Sequence, residues 1–288
     1  MLEYPNIKLS VVVVAFDEEK YIENCIKGII FQSHSLFELI IVDDCSKDNT
    51  EKIIKNIDDS RILYTRNYQR KGIAASRNIG IKKATSEYIF FTDADCYPEK
   101  YWLSEGLKIL KENDCLAVEG RTCYETAFTS LSDRIIENIY GGSFLTCNIG
   151  YRKNILCEVG YFNEEYKYVS EDTDLAIKVL KRGKIIFSPD MLVFHQQKKQ
   201  SVVKYFKDAF RVVSKVKYIK NTHDFRACPM RIIYPAHLAY ILFPPLLIFR
   251  YRIINLKELF LLPILYSSYV FERILAWLTV IREGIFII

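Results

Sequence analysis

The chain has 288 residues, 50% of them hydrophobic and 14% aromatic, with a formal net charge of +5. That apolar content suffices for one large core, or a core with an appendage, and excludes a disordered chain. So small a positive excess gives no argument for a nucleic-acid partner. Eight cysteines are scattered without a Cys-x-x-Cys pair, several of them inside apolar runs, as free thiols of a reducing compartment are. The opening stretch, "MLEYPNIKLSVVVVAFDEE", has no basic n-region and only a strand-length apolar run, so no classical export signal is expected.

In chain order, short β-rich runs alternate with helix-length segments. "LSVVVVAF" is followed by "EEKYIENCIKGIIF", "FELIIVDD" by "KDNTEKIIKNI", "RILYTR" by "KGIAASRNIGIKKA", and "EYIFFTD" closes the series. Strands rich in Val, Ile and Phe without polar alternation belong in a parallel sheet covered on both faces, so this series predicts βαβ units. Ligands of such sheets sit at the carboxyl ends of the strands. There the sequence places Asp17 and Glu18, then Asp43 and Asp44, then Asp93 and Asp95. Taken singly, each tip reads equally as a helix cap, with Ser46 or Asp48 capping in "DDCSKDNT". Three tips on one edge repel one another unless a divalent cation or cationic groups sit among them. No Gly-rich phosphate loop follows the first strand, which excludes a dinucleotide-binding dehydrogenase.

Further along, "SEDTDLAIKVLKRG" starts a helix at Ser170, with three acids in its first turn, more than capping requires. His195 ends the apolar run "LVFH". Residues 201 to 220 place Val202, Val203, Phe206, Phe210, Val213 and Val216 at helical spacing, with Lys204, Lys207, Arg211, Lys215 and Lys217 largely on the other face. That basic amphipathic helix suits an anionic membrane surface and equally suits packing on the core. Two apolar segments follow, 232–249 and 259–281, the first broken by Pro235, Pro244 and Pro245, the second carrying Glu272 and Arg273. Spanning both would put Arg250, Arg252 and Lys257 on the far side, against the positive-inside rule. Helices lying in the cytoplasmic leaflet are therefore preferred over a two-span hairpin, and the same apolar region is a candidate homo-oligomer interface.

The ordered set "VVVVAFDEE", "IIVDDCSKDNT", "RNYQRKGIAASRNIGIKKA", "YIFFTDADCYP", "CNIGYRKNILCEVGYFNEEYKYVSEDTDLAIKVLKRG" and "PDMLVFH" resembles the family 2 glycosyltransferases over roughly residues 9 to 200. The resemblance implies an α/β GT-A fold, Rossmann-like with a mostly parallel sheet, and an α-helical hydrophobic C-terminal region follows it. It implies a catalytic domain over 1–200, divided into a nucleotide-sugar-binding half, 1–95, and an acceptor-binding half, 96–200. A basic helix and linker, 201–228, and membrane-associated helices, 229–288, complete the chain. Two departures from the family's pattern are Asp17-Glu18 in place of Asn-Glu, and Tyr161 and Asn163 in place of Gly and Asp in the run Gly160 to Glu164.

By the same resemblance, Asp95 ligates Mn²⁺ or Mg²⁺ together with the donor diphosphate, Asp93 lies nearer the ribose, and His195 is a further metal ligand. Asp44 meets the nucleobase, framed by Phe16 and Asp17. Arg77 pairs with phosphate, pairs with acidic neighbours, or serves the helix alone. Asp172 is the general base, Glu171 its orienting neighbour or an acceptor contact, and Asp174 structural. The implied activity is inverting transfer from a nucleotide-diphosphate sugar to a glycan or lipid-linked acceptor at the cytoplasmic membrane face, with a polyprenyl-phosphate glycosyl synthase, or an inactive membrane scaffold, as alternatives.

Overall fold

The computed structural model describes residues 4–124, 136–165 and 171–196, with scattered positions from 210 to 278. The expected basic helix, the two apolar segments and Ser170 lie outside the described residues, those scattered positions apart. Among the described residues no helix is long and apolar enough to cross a membrane. The chain divides into two compact units, and every strand and helix below belongs to the one formed by Met1–Glu125, Ile136–Lys167 and Glu171–Gln196.

Seven predicted elements appear in the predicted order: β1 (Leu9–Ala15), α1 (Ile22–Ile30), β2 (Phe37–Asp43), α2 (Thr50–Lys55), β3 (Ile62–Arg66), α3 (Ile73–Lys83) and β4 (Tyr88–Asp93). They are followed by β5 (Cys96–Pro98), α4 (Trp102–Glu112), β6 (Ala117–Cys123), β7 (Ile149–Arg152), α5 (Lys153–Glu158), α6 (Glu171–Leu180) and β8 (Ile185–His195), with one 3₁₀ turn at Thr146–Asn148. The eight strands of the described residues share one sheet in the order β3-β2-β1-β4-β7-β6-β8-β5.

The continuous apolar runs are buried on both faces of this sheet. Leu9, Val11 and Val13 point into one core layer with Ile22, Ile26, Trp102 and Leu103 of α1 and α4. Val12, Ile40 and Phe91 point into the other, with Ala74, Ile81 and Leu175 of α3 and α6. Each Val, Leu, Ile or Phe among these contributes about 1.5–3 kcal/mol on burial. Gly80 lets α3 lie close on β1, since a Cβ there would stand 2.3 Å from Val12 Cγ1.

The expectation of a mostly parallel sheet holds for β3-β2-β1-β4 and is corrected beyond it. β7 runs antiparallel to both β4 and β6, β8 is parallel to β6, and β5 is antiparallel to β8. The physical reason is connection length: β5 and β7, three and four residues long, are not joined to their sheet neighbours by a βαβ crossover, so nothing holds them parallel. The β6–β8 register shifts between Gly120 and Arg121, so that Ser188 pairs with Gly120 but Leu192 with Arg121. Pro189, which lacks a ladder donor, sits in that interruption. Asn148 Nδ2 fills it by donating to Arg121 O at 2.8 Å and Met191 O at 3.0 Å. A Cβ on Gly120 would stand 2.1 Å from Met191 O, so only glycine fits. This bulge fixes how the end of β8, and with it His195, meets the sheet edge.

Candidate active site

The parallel register brings the acidic tips together. Ala15 pairs with Asp43 and Val14 with Asp93, so the ends of β2, β1 and β4 lie side by side. Asp93 ends β4, and Ala94 and Asp95 form the turn into β5. The antiparallel β5–β8 register sets His195 opposite Cys96, and His195 Nε2 stands 3.6 Å from Asp95 Oδ1. The chain then closes on itself, Gln196 N donating to Asp95 O at 2.8 Å.

Asp95 is 7% exposed and His195 4%, because β8 covers the turn. His195 Nδ1 bonds the Gln196 carbonyl at 2.9 Å; a carbonyl only accepts, so in the neutral ring Nε2 is the lone-pair nitrogen directed at Asp95. A buried carboxylate facing an imidazole lone pair fits a divalent cation. Cys96 Sγ is the third donor atom of this group, all within 4.8 Å of one another.

Asp93 has a different partner. Arg77, buried on α3, donates from Nη2 to Asp93 Oδ1 at 3.0 Å and from Nη1 to Glu171 Oε1 at 2.9 Å. Burial disfavours its charge, but Asp93, Glu171 and Asp172 outweigh that and hold its pKa above the ordinary value. Of the roles open to Arg77 in the sequence, the structure shows the pairing with acidic neighbours. Its guanidinium also lies 5.5 Å from the Phe162 ring centroid.

At the β1 and β2 end, Asp44 is buried and accepts from Asn67 Nδ2 at 2.9 Å, Lys71 N at 2.8 Å and Gly72 N at 2.9 Å. Burial pushes its carboxyl up, but bonds from the Lys71 N–H, the Asn67 amide and the Gly72 N–H hold it below the ordinary value. Asp44 thus fastens the start of α3. Asp17, exposed and with φ of 54°, accepts from Lys47 N at 2.7 Å and donates its own N–H to Ser46 Oγ at 3.0 Å. Phe16 carries the Arg70 guanidinium 3.8 Å from its ring centroid. The expected capping of the next helix by Ser46 or Asp48 is corrected: α2 is entered at Asn49 with no side-chain cap bond, and Asp48 makes a local turn, its Oδ1 accepting from Thr50 N at 3.0 Å.

Glu171, Asp172 and Asp174 fill the first turn of α6. Thr173 N donates to Asp172 Oδ1 at 2.7 Å, and Asp174 is buried 2.7 Å from Lys178 Nζ. The segment before α6 is held by a residue the sequence reading missed: Asn78 donates to Phe162 O and Glu164 Oε1, both at 2.9 Å, and accepts from Phe162 N at 3.0 Å. An Asn in the middle of a predicted helix, directly after Arg77, was the available signal, because such a residue pays in propensity unless its amide has partners elsewhere. Cys96 was likewise missed as a neighbour of the acidic tip; its position one residue after Asp95 was the signal.

The family described as "Glycosyl transferase family 2" matches residues 10–162. WfaP of Escherichia coli, a UDP-Glc:alpha-D-GlcNAc-diphosphoundecaprenol beta-1,3-glucosyltransferase, is 30% identical over 178 residues, 61% of this chain and 71% of WfaP. TuaG of Bacillus subtilis, a putative teichuronic acid biosynthesis glycosyltransferase, is 33% identical over 109 residues, 37% of this chain and 43% of TuaG. Among solved structures, the mannosyltransferase PcManGT of Pyrobaculum calidifontis with GDP-Man and Mn²⁺ superposes with a TM-score of 0.62 at 17% identity, covering 95% of this chain and 88% of that one. TarS 1–349 of S. aureus with UDP-GlcNAc gives 0.60 at 16% identity, covering 96% and 92%. At such identities the structural likeness speaks for the fold.

Proposed function

This chain belongs to glycosyl transferase family 2 and is a glycosyltransferase, and from that premise we propose that it moves a sugar from a nucleotide-diphosphate donor to a hydroxyl of a glycan or lipid-linked acceptor with inversion. The observation that supports the reading is the double ion pair of Arg77, which ties the Asp93 tip to Glu171 at the start of α6, the residue directly before Asp172. The names of the relatives support the acceptor class, since WfaP acts on a diphosphoundecaprenol-linked sugar.

Asp95 and His195 are the residues that would hold Mn²⁺ or Mg²⁺, and a bound divalent cation supplies positive charge against the departing diphosphate. Asp93 takes the ribose side of the donor, its other charge interactions met by Arg77. Asp44 lies toward the nucleobase, and Phe16 and Asp17 frame it from β1. Asp172, its Oδ1 fixed by Thr173, receives the acceptor hydroxyl proton as the new bond to the anomeric carbon forms and the bond to phosphate breaks on the opposite face. Glu171 is the orienting neighbour, itself held by Arg77. Residues 1–95 then carry the donor and 96–200 the acceptor.

For the C-terminal region the reading rests on sequence alone: a basic helix and linker over 201–228 and apolar segments over 229–288 seat the enzyme on the cytoplasmic membrane face, close to a lipid-linked acceptor. Removing residues 229–288 is expected to abolish the need for detergent, and residual attachment should weaken as salt rises. Aggregation of the truncated chain would place those segments in a core or an oligomer interface instead.

The test of the activity is a thermal-shift screen of UDP- and GDP-sugars with Mn²⁺ and with Mg²⁺. A rise in melting temperature for a nucleotide-diphosphate sugar only in the presence of the ion is expected. No rise with any donor would contradict the reading.

A further inference from the structure

Asp95 Oδ1 is approached from two sides, by His195 Nε2 at 3.6 Å and by Cys96 Sγ at 3.9 Å. The three donor atoms lie within 4.8 Å of one another and all three side chains are buried. The register produces this convergence: Cys96 and His195 are directly opposed in the antiparallel β5–β8 pair, and opposed residues project to the same face. Cys96 follows Asp95 directly in the chain, which brings its sulfur near the carboxylate, and it is buried in the core layer against α1 and α4. In a tetrahedral site with metal–ligand bonds of about 2.0–2.3 Å, donor atoms stand roughly 3.5 Å apart. Closing the present triangle onto a cation therefore needs its separations, at most 4.8 Å, to shrink by no more than about 1.3 Å.

We propose that Cys96 is a third protein ligand of the cation centre at Asp95 and His195, so that this centre takes thiophilic divalent ions, Zn²⁺, Co²⁺ or Cd²⁺, in preference to Mn²⁺ or Mg²⁺. The proposal rests on the reading of Asp95 and His195 as metal ligands. An oxygen, nitrogen and sulfur donor set selects borderline and soft cations, whereas an oxygen-rich set selects hard ones. On binding, the thiol gives its proton to solvent as the sulfur–metal bond forms, and no electrons change hands. The consequence is that Zn²⁺ competes directly with Mn²⁺ for the donor site.

The test uses the full chain, stripped with chelator and titrated with Co²⁺ alone, then with ¹¹³Cd²⁺. Wild type should show a sulfur-to-cobalt charge-transfer band and a ¹¹³Cd resonance shifted by one sulfur ligand. Cys96→Ser should lose both, and lose at least about tenfold in Cd²⁺ affinity, while its Mn²⁺ affinity stays within about threefold. Co²⁺ or Cd²⁺ binding without a sulfur signature, or a signature that persists in Cys96→Ser, would overturn the proposal while leaving Asp95 and His195 as ligands. No binding of any divalent ion to wild type would overturn both readings. Should Cys96→Ser fail to fold, the wild-type ¹¹³Cd resonance still decides whether sulfur is in the shell, and His195→Ala, which should abolish it, decides whether that sulfur belongs to this centre.

Discussion

Arg77 and Glu171 are 94 residues apart in sequence and joined by a 2.9 Å hydrogen-bonded ion pair between buried side chains. Through its second fork the same guanidinium reaches Asp93, so one cation compensates two carboxylates that would otherwise repel. Arg77→Met leaves Glu171 charged and unpaired inside the protein. A loss of about 3–5 kcal/mol in stability is expected, most of it from the Glu171 end because Asp93 is partly solvated. Arg77→Lys should recover only part, since a point charge cannot serve both carboxylates as a planar fork does. Urea denaturation of the two variants measures this, and equal stability of Arg77→Met and wild type would show that the pair is not coupled to the fold.

Asp172→Asn keeps the size of the side chain and a polar start to α6 but cannot accept a proton. Turnover is expected to fall by roughly 10² or more while donor affinity stays within a few-fold. Steady-state kinetics with a binding titration separate the two, and retained turnover would pass the base role to Glu171.

Asn78 makes three bonds to Phe162 and Glu164, holding the segment between α5 and α6 on α3. Asn78→Ala leaves the buried Phe162 N–H and carbonyl without partners, at a cost of about 2–3 kcal/mol. Thermal melting reports the loss, and a second, conservative change, Asn78→Asp, should keep the bond from Phe162 N but not the donation to Phe162 O.

Stability at acid pH should depend on Glu38. Burial raises its pKa, but bonds from Lys8, Ser10 and Thr85 overcome this and lower it from 4.5 to about 2. A depressed folded-state value means the stabilisation is complete above the unfolded value of 4.5 and is lost as pH falls towards 2. Glu38→Gln should flatten the dependence of melting temperature on pH across that window; an unchanged slope would show that other carboxylates control it.

Much of the fold over residues 9–95 was legible because its signals are local. "VVVVA", "LIIV" and "YIFF" leave no room for polar alternation, so strands buried on both faces and tips on one edge follow from composition alone. What was not legible depends on pairing across the chain. β5 is three residues, "CYP", too short to show a period, yet its register with β8 is what buries Asp95 and brings His195 to it. The antiparallel placement of β7 and the bulge at Gly120 depend on where Asn148 comes to lie, which no window of neighbouring residues contains. Arg77 could be read as a phosphate ligand because its partners, Asp93 and Glu171, are 16 and 94 residues away.

The central claim, that donor binding is metal-dependent and centred on Asp95, is tested most directly by calorimetric titration of nucleoside diphosphate with and without Mn²⁺ into wild type and Asp95→Ala. The Gln196 N–H bond to the Asp95 carbonyl does not involve the side chain, so the variant should keep its fold and its melting transition. Wild type should bind more tightly with Mn²⁺, and Asp95→Ala should lose that increment entirely. Undiminished Mn²⁺-dependent binding in the variant would contradict the assignment.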